Sequence, residues 1–457
     1  MFLFIAVPVL LTSCAGPKEG KPFTGAKGEV KLMTLDPGHF HAALIQKVMY
    51  EQVAPEVYVY APAGAELDAH QKLVDGYNTR TENPTHWQEK IYTGPDYLQK
   101  MIQQKPGNVM VTAGNNAKKT EYLKAAVDAG INVLADKPMC IDEKDFELLK
   151  ECFASAQRNG VLLYDVMTER SEITTLLQKE LAQIPEVFGQ LTVGSPEKPA
   201  ITKESVHHYF KEVSGKPLQR PAWFYDVTQQ GEGIVDVTTH LLDLVMWEAF
   251  PDQAMDYKND IQLLTAKRWP TMISMEQFNR STRLTEWPEY LKQYVDDKGA
   301  LNVYCNGEIN YTLKGVHAKV SVIWNFQAPP GGGDTHYSIM RGTKADAIIQ
   351  QGAEEKYKPE LYLTPAKGVD LQTLGAALEK AVASLQTSYP GVGVEAQAGR
   401  YKITIPEKYR IGHEAHFGQV AQRYLKFLVD GHLPAWEVPN MLAKYWLTTQ
   451  ALTLAKK

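Results

Sequence analysis

Residues 109–138 read VMVTAGNNAKKTEYLKAAVDAGINVLADKP, and the fold follows from how this stretch is punctuated. Residues 109–112 form a short apolar run with β-branched side chains, the pattern of a buried strand. Tyr122, Leu123, Ala126 and Val127 then recur at helical spacing, and Gly130 supplies a stop. Residues 131–135 return to a strand-like run. Strand, helix and strand in this compass is the unit of a parallel sheet. Upstream, residues 30–35, 57–60 and 90–92 read as strands, separated by helical patterns carrying Phe40, Leu44, Ile45 and Val48. A helix with Tyr97, Leu98, Met101 and Ile102 precedes residue 109. Downstream, Phe146, Leu149 and Phe153 mark a helix ending near Gly160, and residues 161–164 a final strand. The expectation is a doubly wound α/β domain over residues 29–166.

Beyond it the rhythm changes. Helices are expected near 171–182 and 234–249, around a strand at 188–193. Alternating segments follow at 300–305, 308–313, 318–326 and 335–341, punctuated by Gly307, Gly315 and the Pro/Gly run 329–333. They predict a large open antiparallel sheet with helices on one face, an α+β domain over 167–457. A polar section at about 352–410 reads as an insertion before final helices at 413–430 and 438–456. No internal repeat is evident.

At 457 residues the chain is too long for one ordinary core. Its 44% hydrophobic and 22% charged residues are those of a folded globular protein. A formal charge of −5 argues against nucleic acid, which needs a basic footprint. Residues 1–13 carry no charged side chain, and residues 2–11 are almost wholly apolar, too short to span a bilayer as a helix but suited to a signal-peptide core. Leu11-Thr12-Ser13-Cys14-Ala15 resembles a bacterial lipoprotein box, which predicts a signal peptide over 1–14 with lipidation at Cys14. Residues 15–28 read as a flexible tether. Together these predict an exported chain, lipid-anchored to the cell envelope. Cys140, Cys152 and Cys305 lack paired spacing, so neither a disulfide framework nor a metal site is expected.

Three constellations carry chemistry. The turn after the first strand is Asp36-Pro37-Gly38-His39-Phe40-His41, where a dinucleotide-binding domain usually has G-x-G-x-x-G. Only the middle glycine, Gly38, is kept. An acidic residue that would hold the adenosine ribose is missing from Tyr60-Ala61-Pro62. The second is Gly114-Asn115-Asn116 with Asp136-Lys137-Pro138, at the ends of successive strands where such sheets bind ligands. An ammonium there would stabilise a developing alkoxide. The third is the run Gly231-Glu232-Gly233-Ile234-Val235-Asp236-Val237-Thr238-Thr239-His240-Leu241-Leu242-Asp243. As a helix it would place Asp236, His240 and Asp243 on one otherwise apolar face.

This order resembles the glucose–fructose oxidoreductase/inositol dehydrogenase (Gfo/Idh/MocA) family, whose motifs read like T-P-N-H, E-K-P and G-G-G-x-x-x-D-x-G-x-H-x-x-D. Glu232 and Thr238 replace two of its glycines. The resemblance implies a Rossmann domain binding NAD or NADP through Gly38, His39, Phe40, Asn115, Asn116, Asp136 and Lys137. It also implies that Lys137 reaches the reacting hydroxyl and that Asp236 and His240 are catalytic. His240 is the candidate base, oriented by Asp236. Trp223, Asp243 and Trp324 are weaker candidates for contact with a sugar, glycoside or cyclitol. His207-His208, His336 and the pair His413 and His416 could edge the cleft; the last pair has no third metal ligand in the sequence and reads as surface or packing. The expected activity is hydride transfer at a secondary hydroxyl by an NAD(P)-dependent oxidoreductase, possible as a homo-oligomer. Nucleotide is scarce outside the cytoplasm, so a resident cofactor is expected. A redox-neutral NAD-dependent glycosidase and a carbohydrate-binding lipoprotein without nucleotide are the alternatives; a keto-sugar product marks the dehydrogenase and free sugar without net redox change the glycosidase.

Overall fold

The computed structural model describes residues 23–213 and 216–457; the lipobox and Cys14 lie outside the described residues. A six-stranded sheet forms from β1 (Leu32–Leu35), β2 (Glu56–Tyr60), β3 (Gln88–Tyr92), β4 (Val109–Thr112), β5 (Asn132–Ala135) and β6 (Leu163–Asp165). Every pair in it is parallel, in the order β3-β2-β1-β4-β5-β6. β1, β4 and β5 are buried along their whole length, which is why they read as unbroken apolar runs, while β3 at the edge is largely polar. The linking helices are α1 (His41–Leu44), α2 (Ala65–Thr79), α3 (Tyr97–Gln104), α4 (Asn116–Asp128) and α5 (Glu143–Asn159). Asn115 caps α4 by accepting from the Ala117 N–H, and Gly160 ends α5 in the left-handed region at φ 63°. Strand order reverses between β1 and β4, so their following loops flank a crevice.

After α6 (Ile173–Ala182) the second sheet begins with β7 (Ile201–Phe210); β8 (Glu212–Val213) and β9 (Lys216–Pro217) form a small separate hairpin. Short α7 (Val227–Gln230) and α8 (Thr238–Ala249) precede β10 (Ile261–Ile273), α9 (Met275–Thr282), α10 (Glu289–Lys292), β11 (Leu301–Leu313) and β12 (Val316–Gln327). Then come β13 (Thr335–Arg341), β14 (Ala345–Gln350), β15 (Glu360–Pro365), α11 (Leu371–Leu385), β16 (Gly393–Gln397), β17 (Arg400–Thr404), α12 (His413–Asp430) and α13 (Glu437–Ala455). Nine strands pair as β10-β11-β12-β7-β13-β14-β15-β17-β16. All neighbours are antiparallel except β7 and β12, so the expected antiparallel sheet is mixed at its centre. One face packs under α6, α8, α11 and α13 through Leu177, Leu242, Val245, Leu378 and Leu447.

Several expectations are corrected. Residues 23–28 are not a tether: Phe23 packs on the first core, and the Glu29 carboxylate accepts from the Thr24, Gly25 and Ala26 N–H groups. Residues 352–410 are part of the second sheet's structure: β15, β16 and β17 extend it and α11 covers it. Residues 188–193 make no strand beyond one bridge, Leu191 to Gly342, whereas β7 and β10 went unread. β11 runs straight through Gly307, where a Cβ would stand 2.7 Å from that of Ile234; the glycine is there for packing, not for a break. The last two helices also depart from the expected division. Phe417, Val420, Tyr424 and Leu428 of α12 belong to the core of the parallel sheet. α13 contributes Met441 and Tyr445 to that core and Ala443, Leu447 and Ala451 to the other. Among the described residues no helix is long and apolar enough to cross a membrane.

Candidate active site

A cavity of about 1230 Å³ opens at the C-terminal edge of the parallel sheet, between it and β7, β12 and α8. Lys137 enters from the turn after β5 and donates to Asp236 Oδ1 at 2.6 Å. The other oxygen of Asp236 accepts from Gln230 Nε2 at 3.1 Å. Both partners of the ion pair are nearly buried, at 11% and 6% side-chain exposure, so each charge depends on the other. Gly233 presses the loop bearing Asp236 against β11: a Cβ there would sit 1.7 Å from the Cys305 carbonyl oxygen, a space no other residue could share. Glu232, in place of a family glycine, binds Arg268 of β10 at 2.6 Å and anchors the same loop.

His240 lines this cavity, and its Nδ1 is buried without a hydrogen-bond partner. Burial, with Lys137 and His413 adding positive charge, holds its pKa well below the ordinary imidazole value, so it is neutral. The expected helical stripe is only half formed. α8 starts at Thr238, leaving Asp236 in the preceding turn. Asp243 is withdrawn from any substrate role. Its oxygens accept two bonds from Arg170, each 2.6 Å, and one from Lys444 at 2.9 Å. Burial would raise this carboxyl, but Arg170 and Lys444 hold it well below the usual carboxylate range.

The turn after β1 is rebuilt relative to a glycine-rich one. Asp36, at φ 49°, aims its carboxylate at the Tyr122 hydroxyl, 2.8 Å away, and so turns from the crevice. The N–H groups of Gly38 and His39 donate to the carbonyls of Asp36 and Ala113. Glu66 stands over Gly38, with an oxygen 2.5 Å from where a Cβ would be. Trp223 Nε1 donates to Glu66 at 2.8 Å, which places that tryptophan beside the turn and not on the main cavity. His39 and His41 both approach the Asp136 carboxylate.

Of the remaining predicted residues, Phe40, Asn116 and Trp324 line the cavity. Trp324 stacks on His207 with ring centroids 5.1 Å apart. Asn115 does not line it; its side chain is committed to capping α4 and to Gln229 Oε1 at 2.7 Å. His413 and His416, read as surface or packing, are lining residues. Sequence reasoning missed Gln230, Glu66 and the Asp334 carboxylate, which gathers His207, His208 and Lys211. The adjacent histidine pair was the available signal. No metal is expected from the cysteine spacing or from His413 and His416; the convergence of His39 and His41 on Asp136 is a tertiary feature that neither reading addresses.

The nicotinamide end of a dinucleotide fits here: the cavity adjoins the loops after β1, β4 and β5, and His240, whose buried Nδ1 has no partner, lines it together with Lys137 and Asp236. At the phosphate end the glycine turn is narrowed by Glu66. Fold and site together define a doubly wound α/β protein with a mixed-sheet second domain and a polar cavity at the sheet edge. The chain belongs to the family described as "Putative oxidoreductase C terminal domain", whose model matches residues 177–456. It is 59% identical to a protein from Parabacteroides merdae whose crystal structure is described as that of a putative oxidoreductase, with TM-score 0.93 over 95% of this chain and 99% of that one. Levoglucosan dehydrogenase, solved with NADH, shares the fold at 12% identity, TM-score 0.59, over 93% and 97% of the two chains. GenD2 from gentamicin A biosynthesis, solved with NAD, does so at 13% and 0.57 over 97% of each. No curated protein matches the sequence.

Proposed function

We propose that this protein is an NAD(P)-dependent oxidoreductase acting at a secondary hydroxyl of a sugar, glycoside or cyclitol. The observation that carries the reading is the Lys137–Asp236 pair, 2.6 Å apart, sharing one cavity with a neutral His240 at the sheet edge where doubly wound folds bind ligands. That neighbours of the same fold were solved with NADH, NAD or NADP+, and one of them with levoglucosan, supports it. A bound nicotinamide supplies the hydride acceptor. Gly114, Asn116 and the backbone of the turn at 136–137 are what would hold its nicotinamide end. Lys137 holds the substrate oxygen and stabilises the alkoxide as it forms. Asp236 keeps the ammonium in place, and Gln230 keeps Asp236 in place. His240, being neutral, has an unprotonated ring nitrogen to take the hydroxyl proton. Trp324 offers an apolar ring to a sugar face. The Leu11-Thr12-Ser13-Cys14 motif supports an exported, lipid-anchored location, where a nucleotide retained between turnovers would be an advantage.

The test is to denature the purified protein and measure NAD(H) and NADP(H) released, then to supply glycosides and look for keto-sugar. Nucleotide at about one per chain with keto-sugar formation is expected. A protein that neither carries nor binds nucleotide overturns the proposal, and so does cleavage to free sugar without net oxidation.

A further inference from the structure

The turn after β1 holds a feature that hydride transfer does not use. Asp136 is 7% exposed, and its carboxylate meets two imidazoles: His41 Nδ1 at 3.1 Å from either oxygen and His39 Nδ1 at 3.7 Å. The nearby ammonium groups are engaged elsewhere. Lys137 binds Asp236, and Lys119 donates to Asn116 and to the backbone carbonyl of Asp136. One ligand atom from each of His39, His41 and Asp136 lies within 4.8 Å of the others, and all three residues face the cavity.

We propose that His39, His41 and Asp136 bind a divalent first-row transition-metal ion. Two imidazoles and one carboxylate are a ligand set for such ions, and three protein ligands leave open positions for oxygen donors from the cavity. The rings are held for the purpose by packing. His39 stacks on Phe224 at 8° between planes, and His41 is wedged between Phe40 and Phe417 at 4.5 and 4.6 Å. The ion would sit where the turn after β1 meets the turn after β5, on the wall of the cavity.

Untagged full-length protein, stripped by chelator dialysis, is titrated with Co2+ and followed by visible absorption and metal analysis. One ion per chain is expected. His39→Ala, His41→Ala and Asp136→Asn should each weaken binding at least about tenfold, while His416→Gln, in the same cavity but outside the set, binds as the parent does. X-ray absorption of the unsubstituted Co2+ protein reads the ligands even where a variant fails to fold: two imidazoles with carboxylate oxygen supports the site. No uptake by the unsubstituted protein overturns the proposal, as do undiminished binding in the folded ligand variants and a coordination shell with three or more imidazoles. None of these readouts involves nucleotide or turnover, so the site stands or falls apart from the proposed reaction.

Discussion

At the scale of single residues, Lys137 and His240 should be separable from nucleotide binding. Lys137→Ala and His240→Ala are expected to lower kcat/KM by roughly 10²–10⁴-fold, the range for a lost general base or oxyanion partner. Nucleotide retention and the far-ultraviolet spectrum should stay near those of the parent; loss of folding in both would mark them as structural. Because burial and Lys137 depress the His240 pKa, the acid limb of the kcat/KM profile should fall below the ordinary imidazole range near 6.5. A limb at or above that value would remove His240 as the base. Glu66 makes a different case. Burial and the charge of Asp36 raise its pKa, although the Trp223 indole N–H opposes this, and it faces the place a phosphate would take. Glu66→Gln should tighten NAD(H) binding by roughly tenfold, equivalent to about 1.4 kcal/mol, measured by calorimetry. Lys137, Asp236 and His240 were legible in the sequence because their motifs are local. Glu66 and Asp334 were not, since their partners Trp223 and His207-His208 are distant in sequence, and Gln230 lies just before the glycine run that leads to Asp236.

Among elements, the decisive one is α8 with its attached turn. Its helical apolar pattern was readable, but the point where the helix begins was not, because Gly231 and Gly233 bend the chain to meet β11, a distant strand. Asp243 illustrates the limit of face-sharing arguments. Periodicity gave it the stripe of His240, yet Arg170 and Lys444 come from elements nowhere near it in sequence. Lys444 also binds Asp165 at 2.8 Å, and Arg170 binds Glu437 at 2.7 Å, so β6, α8 and α13 meet in one buried charged network. Breaking such a network leaves an uncompensated charge. Asp243→Asn or Lys444→Met should cost about 3–5 kcal/mol in urea unfolding. A loss below about 1 kcal/mol would show that the network contributes little. The central strands β1, β4 and β5 of the parallel sheet were legible for the opposite reason: full burial makes them mostly apolar runs. β7 and β10 escaped because they mix charged and aromatic residues on two half-covered faces.

For the whole molecule, the concentration of histidines around one cavity ties stability to acidity. Burial lowers the pKa of His416 to about 4. In the unfolded chain that imidazole titrates near 6.5. Between these values the unfolded chain binds a proton that the native state refuses, so stability falls as pH drops from about 6.5 towards 4 and is full above it. From pH 7 to 5 the loss assignable to His416 is about 2 kcal/mol. Urea melts at the two pH values should show His416→Gln flattening the difference by that amount; an unchanged difference would place the acid sensitivity in other groups.

The helix at 437–455 gives one side of itself to each hydrophobic core, which makes the chain's end the staple of the fold. Modular exchange with distant relatives is therefore barred at the apparent seam near residue 166. A Rossmann half cut there would expose the apolar surface that Tyr424 and Tyr445 normally roof. Any graft that keeps the cleft must carry the last forty-odd residues with it.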